Sequence, residues 1–384
     1  MPRLYLDYNA GAPLRPEARA AMIEALSATG NASSVHREGR AAHARIERAR
    51  TEVAALVGAD PKGVTFTSGG TEANNTVLTT HWALGSQAMP IDRLLVGATE
   101  HPSVLSGGRF GAERVEVIPV DGEGVVRLDA LAEMLGRGGR ALVSVMLANN
   151  ETGVIQPVGR IAEIAHEAGA FVHSDTIQAA GRITIDINDL GVDVITLSAH
   201  KIGGPQGAGA IVRARDDLTF APLLTGGGQE KRARAGTENV AAIAGFGAAA
   251  AAAFSDPEMG MEWTEMRDGI ANIIKGNERE VEIFGQNAER LPQTLCLALP
   301  GIHAETLVIA LDLAGVAVSS GSACSSGKVA PSHVLAAMGV EPDLAKSAIR
   351  VSLGWESRKS DLDLFSTAWQ SVLKHIAPGE TQVV

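Results

Sequence analysis

Cysteine is scarce in this sequence: among 384 residues only Cys296 and Cys324 occur. A disulfide scaffold is excluded, and two free thiols in a reducing compartment is the simplest reading. Positive charge is also in short supply. Lys+Arg number 33 against 44 Asp+Glu, for a formal net charge of -11. That balance argues against nonspecific binding to nucleic acid or anionic lipid. No apolar run is long enough to cross a bilayer. The longest, Ala241 to Phe254, is alanine-rich and reads as a buried helix packed closely through its small residues. The first residues carry charges inside a short apolar run and lack the long segment of a secretory signal, so a cytoplasmic location is expected.

What is present fits a globular protein of about two domains. Hydrophobic residues make up 45% and charged residues 20%, and the 43 glycines point to tight turns or to backbone held close to a ligand. Along the chain, apolar runs alternate with helical patterns. Ala18–Leu26 and Gly39–Val57 read as helices. Strands are expected at Val64–Thr67, Arg93–Val96, Val115–Val120, Leu142–Leu147, Phe171–Ser174, Val192–Leu197 and Gly209–Val212. Ala73–Leu84, Leu128–Leu135 and Ile161–Ala168 are expected to be helical. This order predicts an α/β fold with a mostly parallel, helix-covered sheet. Beyond Ser255-Asp256-Pro257 the texture changes to that of a smaller α+β unit, with no internal repeat.

Several candidate residues stand just after expected strands. Ser68-Gly69-Gly70-Thr71 opens a helix and offers backbone N–H groups and a hydroxyl to an anion, but lacks the lysine of a P-loop; a plain glycine turn is the alternative. Ser198-Ala199-His200-Lys201 puts a lysine beside glycine-rich backbone, which suits Schiff-base chemistry; a surface charge is the alternative. His173-Ser174-Asp175, with Gln178 one turn on, offers a cap, a salt bridge or a partner for a ring nitrogen. Glu100-His101-Pro102 offers an imidazole for stacking or acid–base work, or a capped loop. Ser319 to Gly327 is small and polar around Cys324, a setting for an exposed nucleophile, whereas Cys296 in Leu295-Cys296-Leu297 reads as core. The cysteines and histidines have no zinc spacing. Ligands bind at the C-terminal ends of strands in open α/β sheets, and several of these segments share that position.

Five segments, taken in order and spacing, carry a resemblance. They are Thr67-Ser68-Gly69-Gly70-Thr71-Glu72, Ala148-Asn149-Asn150-Glu151-Thr152-Gly153, Ser198-Ala199-His200-Lys201, Gly236-Thr237-Glu238-Asn239 and Ser319 to Cys324. From Tyr5 to Gly354 the chain resembles the fold-type I, pyridoxal-phosphate-dependent class V aminotransferases, and within them the cysteine desulfurases that serve iron–sulfur cluster assembly. The resemblance implies a seven-stranded, mostly parallel sheet in an α/β/α sandwich plus a smaller α+β domain. Residues 15–255 would form the large cofactor-binding domain; 1–14 and 256–384 would form the small domain carrying the cysteine loop.

The resemblance also implies roles. Lys201 would hold pyridoxal 5'-phosphate covalently, and His101 would stack on its ring and relay protons as a catalytic residue. Asp175 would pair with the ring nitrogen, and Gln178 and Asn150 would contact the ring oxygen. Gly70, Thr71, Ser198 and His200 would bind the phosphate. Thr237 would reach the cofactor phosphate of a second subunit, which implies a homodimer. Asn9 and Arg350 would hold the substrate carboxylate, with Asn150 beside it. Cys324 would accept sulfur from L-cysteine, leave L-alanine, and pass the sulfur to an acceptor such as an iron–sulfur scaffold protein. The nearest alternative is a selenocysteine lyase or another sulfur lyase of the same fold; a non-catalytic scaffold is a reading of a different class. Two departures leave the subgroup open: Gly11-Ala12 stand where relatives often have two threonines, and Ile-Gly-Gly-Pro follows Lys201 where an aromatic residue or a lysine is often found.

Overall fold

The computed structural model describes residues 3–254, 259–276, 280–321 and 332–375. Cys324 therefore lies outside the described residues. The apolar runs become the strands of a central sheet: β1 (Val64–Thr67), β2 (Arg93–Gly97), β3 (Val115–Ile118), β4 (Ala141–Ser144), β5 (Phe171–Asp175), β6 (Val194–Ser198) and β7 (Gly209–Arg213). Their spatial order is β1-β7-β6-β5-β4-β2-β3. Pairing is parallel from β6 across to β3. Only β7 runs against its neighbours, β1 and β6.

Strands such as β2, β4 and β5 read as continuous apolar runs because both sheet faces are covered. Leu95, Val143, Val172 and Ile195 pack into one core cluster, whereas their chain neighbours Leu94, Leu142, Phe171 and Val194 pack into another on the opposite face. The small-residue helix Val240–Phe254 lies against the helices Pro16–Leu26 and Arg37–Leu56. Its glycines set the spacing: a Cβ on Gly247 would lie 2.5 Å from the Ala49 Cα.

A third cluster joins Leu4 and Leu6 to Trp263, Leu295, Leu297, Leu307, Phe365 and Trp369. It packs around a four-stranded sheet that includes Thr294–Ala298 and Ala348–Ser352. The strand Leu4–Tyr5 pairs with Val316–Ala317, and the chain then runs through Asp7–Asn9 toward the central sheet. Cys296 is fully buried on Thr294–Ala298, and burial pushes its thiol pKa well up. It is a core residue, as its apolar neighbours suggested.

The expected helix Ala73–Leu84 is corrected. The helix is Gly70–Val77, and His81–Leu84 is a strand paired with Gln87–Pro90 and with Leu218–Phe220. The β-branched pair Thr79-Thr80 follows the helix end, and Gly85, at φ 54°, makes a two-residue hairpin turn with Ser86. Among the described residues, no helix is long and apolar enough to cross a membrane.

Candidate active site

One cavity of about 240 Å³ opens beside the C-terminal ends of β5 and β6. The loops after the strands bring Asn9, Gly70, Thr71, His101, Asn150, Asp175, Gln178, Ser198, His200, Lys201 and Arg350 around it. Eleven of the sequence-derived candidates thus share one wall. Thr237 does not line it; this residue is exposed on a separate loop. Cys324 lies outside the described residues.

At one end of the cavity stands the first turn of the helix Gly70–Val77. N–H groups of a first turn have no partner within the helix and point toward an anion. The backbone here leaves no room for larger residues. A Cβ on Gly70 would lie 2.2 Å from the Ile177 Cδ1, and one on Gly209 would lie 2.5 Å from the Gly69 backbone. Glu72 sits in the same turn but is directed elsewhere, accepting from the Arg234 Nε at 3.0 Å and from the Ser68 N–H at 2.8 Å. The hydrogen bonds and charge of Arg234 hold the Glu72 pKa below the usual value against the opposing effect of burial.

Asp175 ends β5 and is buried. One carboxylate oxygen accepts from the Asn74 Nδ2 at 2.8 Å and the other from the Ile177 N–H at 3.0 Å. Asn74 is itself fixed: it donates to the Ser103 Oγ at 2.9 Å, and its carbonyl accepts from the Thr196 Oγ1 at 2.6 Å. His101 caps the short helix Pro102–Leu105, its Nδ1 accepting from the Ser103 N–H at 3.1 Å. An Nδ1 that accepts leaves the proton on Nε2. Burial lowers the His101 pKa; Asp175 opposes this, and the charges of Lys201 and His333 add to it, so the ring is neutral. For His200, burial, then Lys201 and Arg182, push the pKa down to about 4.

Lys201 follows β6 and donates through Nζ to the backbone carbonyls of Asn9 and Ala10, the latter at 2.9 Å. Arg350, almost fully buried on Ala348–Ser352, closes the far side. Its Nη2 meets Asp7 at 2.8 Å, its Nη1 donates to the Asn150 carbonyl at 3.0 Å, and its Nε has no partner among the described residues. Asn9 uses its whole amide on protein groups: Nδ2 donates to the Asn150 carbonyl and the Thr294 Oγ1, and Oδ1 accepts from Arg182.

Sequence reasoning missed Asn74, Ser103 and Arg182. Asn74 and Ser103 carried one weak signal each, lying within two or three residues of Thr71 and His101. Arg182 stands one helical turn beyond Gln178, the spacing of side chains that share a helix face.

The donor set fits pyridoxal 5'-phosphate. A fixed carboxylate suits a protonated ring nitrogen, a neutral imidazole suits a flat ring, a glycine-lined helix start suits a phosphate, and a lysine lines the same cavity. Comparison with known proteins agrees. The aminotransferase class-V family model matches residues 4–365. The chain is 40% identical to cysteine desulfurase IscS of Dictyoglomus turgidum, over 94% of this chain and 92% of that protein. It is 42% identical to a cysteine desulfurase of Cereibacter sphaeroides, covering 94% of each. A solved NifS-like protein from Rickettsia africae superposes with a TM-score of 0.87 at 35% identity, covering 97% of this chain and 99% of that one. The chain belongs to the class-V aminotransferase family, within its pyridoxal-phosphate-dependent cysteine desulfurase group.

Proposed function

We propose that the protein is a cysteine desulfurase that takes sulfur from L-cysteine onto Cys324 and releases L-alanine. One observation carries this reading: Lys201, Asp175, His101 and the Gly70–Thr71 helix start converge on a single cavity that Arg350 closes. Bound pyridoxal 5'-phosphate supplies an electron sink for bonds broken at the substrate α-carbon. The chain's own residues do the rest. Gly70, Thr71, Ser198 and His200 hold the phosphate. The Asp175 carboxylate keeps a proton on the ring nitrogen. Neutral His101 would hold the ring by stacking, and Gln178 and Asn150 would serve the ring oxygen. Lys201 would anchor the cofactor, and its amine would remove the substrate α-proton and later return one.

Arg350 receives the substrate carboxylate at the cavity wall that it lines. Asn9 acts beside it by fixing the Asn150 backbone, since its own amide already bonds protein groups. The Cys324 thiolate attacks the substrate sulfur. The sulfur–sulfur bond forms as the carbon–sulfur bond breaks, its electron pair stays with the three-carbon fragment, and protonation there yields alanine. L-cysteine and enzyme thiol thus become L-alanine and enzyme persulfide, with atoms balanced. The persulfide passes to an acceptor such as an iron–sulfur scaffold protein. A second copy of the chain supplies Thr237 to the phosphate, a role supported by its exposure on a loop away from its own cavity.

We further read residues 15–255 as a large domain and 1–14 with 256–384 as a small one. The separate core that joins Leu4 and Leu6 to residues 263–372 supports that division. The test is incubation of the holoenzyme with L-cysteine. Alanine appears in step with a one-sulfur mass gain on the Cys324 peptide. Alanine without that gain, or no cysteine consumption, sinks the assignment.

A further inference from the structure

The mechanism above makes no use of Arg182, yet this guanidinium touches three of its parts. Nη1 donates to the Asn9 Oδ1 and to the Gln178 Oε1, both at 2.7 Å, and to the Gln178 backbone carbonyl at 3.2 Å. Nη2 donates to the backbone carbonyls of Tyr8 at 3.3 Å and of Lys201 at 3.2 Å. Arg182 as a whole is partly exposed, but its charged end is closed in by these neutral acceptors. Among the described residues no carboxylate pairs with it.

The charges facing this end come from four directions. Arg350 approaches from Ala348–Ser352 with Asp7 bound to it, Lys201 and His200 follow β6, Asp175 ends β5, and His101 stands across the cavity. Burial and the Arg350 charge push the Arg182 pKa down to about 9, which still leaves it charged at neutral pH. His101 and His200 are neutral, so three cations face two carboxylates. A cation closed in among neutral dipoles disfavours further positive charge nearby.

A guanidinium only donates, so any amide that meets it must present its oxygen. This settles the orientation of both amides. Asn9 turns its NH2 to Asn150 and Thr294, and Gln178 turns its NH2 away from Arg182. One Gln178 N–H then bonds the Asn9 carbonyl at 3.1 Å, and the second is the donor left for an oxygen in the cavity that Gln178 lines.

We propose that Arg182 is a positioning residue: it holds Gln178 as a donor toward the cofactor ring oxygen, and its charge favours the unprotonated nitrogen at Lys201. This rests on the assignment of the cavity to pyridoxal 5'-phosphate anchored on Lys201. The experiment is a spectrophotometric pH titration of the substrate-free holoenzyme, together with cofactor affinity of the apo-protein, for wild type, Arg182→Met, Arg182→Gln and Arg182→Lys. Circular dichroism and gel filtration check folding.

In Arg182→Met the midpoint of the cofactor band rises by about one pH unit, because one neighbouring positive charge is gone. Cofactor affinity falls about tenfold with the loss of one fixed donor, a change of about 1.4 kcal/mol. Arg182→Lys keeps the charge and stays near the wild-type midpoint. Arg182→Gln is neutral but still a donor; it shows the same upward shift and keeps the test open if the Met variant fails to fold. An unchanged midpoint in a folded, cofactor-binding neutral variant overturns the role of Arg182. A wild-type protein that forms no lysine-bound band with pyridoxal 5'-phosphate overturns the underlying assignment instead, so the two failures are distinguishable.

Discussion

Arg350 shows how the fold holds a single charged side chain at the cavity wall. It is 1% exposed, its planar end is held by Asp7 and the Asn150 carbonyl, and its buried Nε has no partner among the described residues. A buried donor without a partner costs free energy until a ligand supplies one. Arg350→Gln is therefore expected to raise KM for L-cysteine tenfold or more, the loss of a charge-assisted bond of roughly 1.5–3 kcal/mol. The variant still forms the lysine-bound cofactor band without substrate. Steady-state kinetics beside an absorbance spectrum makes the check, and an unchanged KM removes Arg350 from the substrate site. Lys201, Asp175 and His101 were legible in the sequence because each follows a recognisable apolar strand. Arg182 was not: an arginine after a turn looks like any solvated cation until the fold lays Tyr8 and Asn9 against it. Asn9 was legible as a site residue but not in its geometry, since its amide partners come from residues more than a hundred positions away.

The loop between Leu218–Phe220 and Val240–Phe254 is the element whose conformation runs most against its sequence. Glu230, Lys231 and Arg232 take φ values of 46°, 53° and 70°, the left-handed region, at a cost of roughly 1–3 kcal/mol each. The strain is held by a clasp. The Glu230 carboxylate accepts from Arg50 Nη1 and Nη2 at 2.8 and 2.9 Å and from the Phe66 N–H at 2.9 Å. Arg234, bonded to Glu72, ties the same loop to the start of the helix Gly70–Val77. Thr237 is presented between this clasp and the helix that follows. Glu230→Gln keeps the shape but leaves the buried Arg50 charge short of its main partner. It is expected to lower stability by about 3–5 kcal/mol, as for a broken buried pair. Urea unfolding reads that loss, and trypsin cuts after Lys231 and Arg232 faster than in wild type. Equal stability and equal cleavage would mean that the clasp does not hold the loop. Gly226-Gly227-Gly228 announced a loop in the sequence. Its left-handed turn was hidden, because charged residues rarely adopt that conformation and their support comes from Arg50, 180 positions away.

Across the whole molecule, composition averages away what the fold separates. A net charge of -11 coexists with a cavity where cations outnumber carboxylates, and periodicity predicted the strands but not their order or the reversal of β7. Burial likewise splits the titrating groups into two sets that oppose each other. His173 is fully buried on β5, bridging the Ser144 Oγ at 2.9 Å and the Thr196 Oγ1 at 3.2 Å, and burial pushes its pKa from 6.5 down to about 3. The unfolded chain takes up a proton below about pH 6.5 and the folded chain does not, so this group's support is present above that pH and is lost on acidification. Between about pH 7.5 and pH 5 the loss amounts to roughly 2 kcal/mol. Glu100 acts in the opposite sense. It is fully buried, one oxygen accepts from the Met146 N–H at 2.7 Å, and the other has no partner among the described residues. Burial raises its pKa well above 4.5, with Asp175 adding to the rise and the Met146 bond opposing it. The folded chain keeps this proton where the unfolded chain releases it, so stability falls as pH rises above about 4.5. Because the two slopes offset each other in the wild type, single variants carry the test. His173→Gln, which can still bridge both hydroxyls, flattens the acid-side loss, and Glu100→Gln gains stability relative to wild type more at pH 8 than at pH 5. Urea unfolding at both pH values decides it: parallel pH profiles for either variant and wild type would mean that the group does not titrate differently in the folded and unfolded chains.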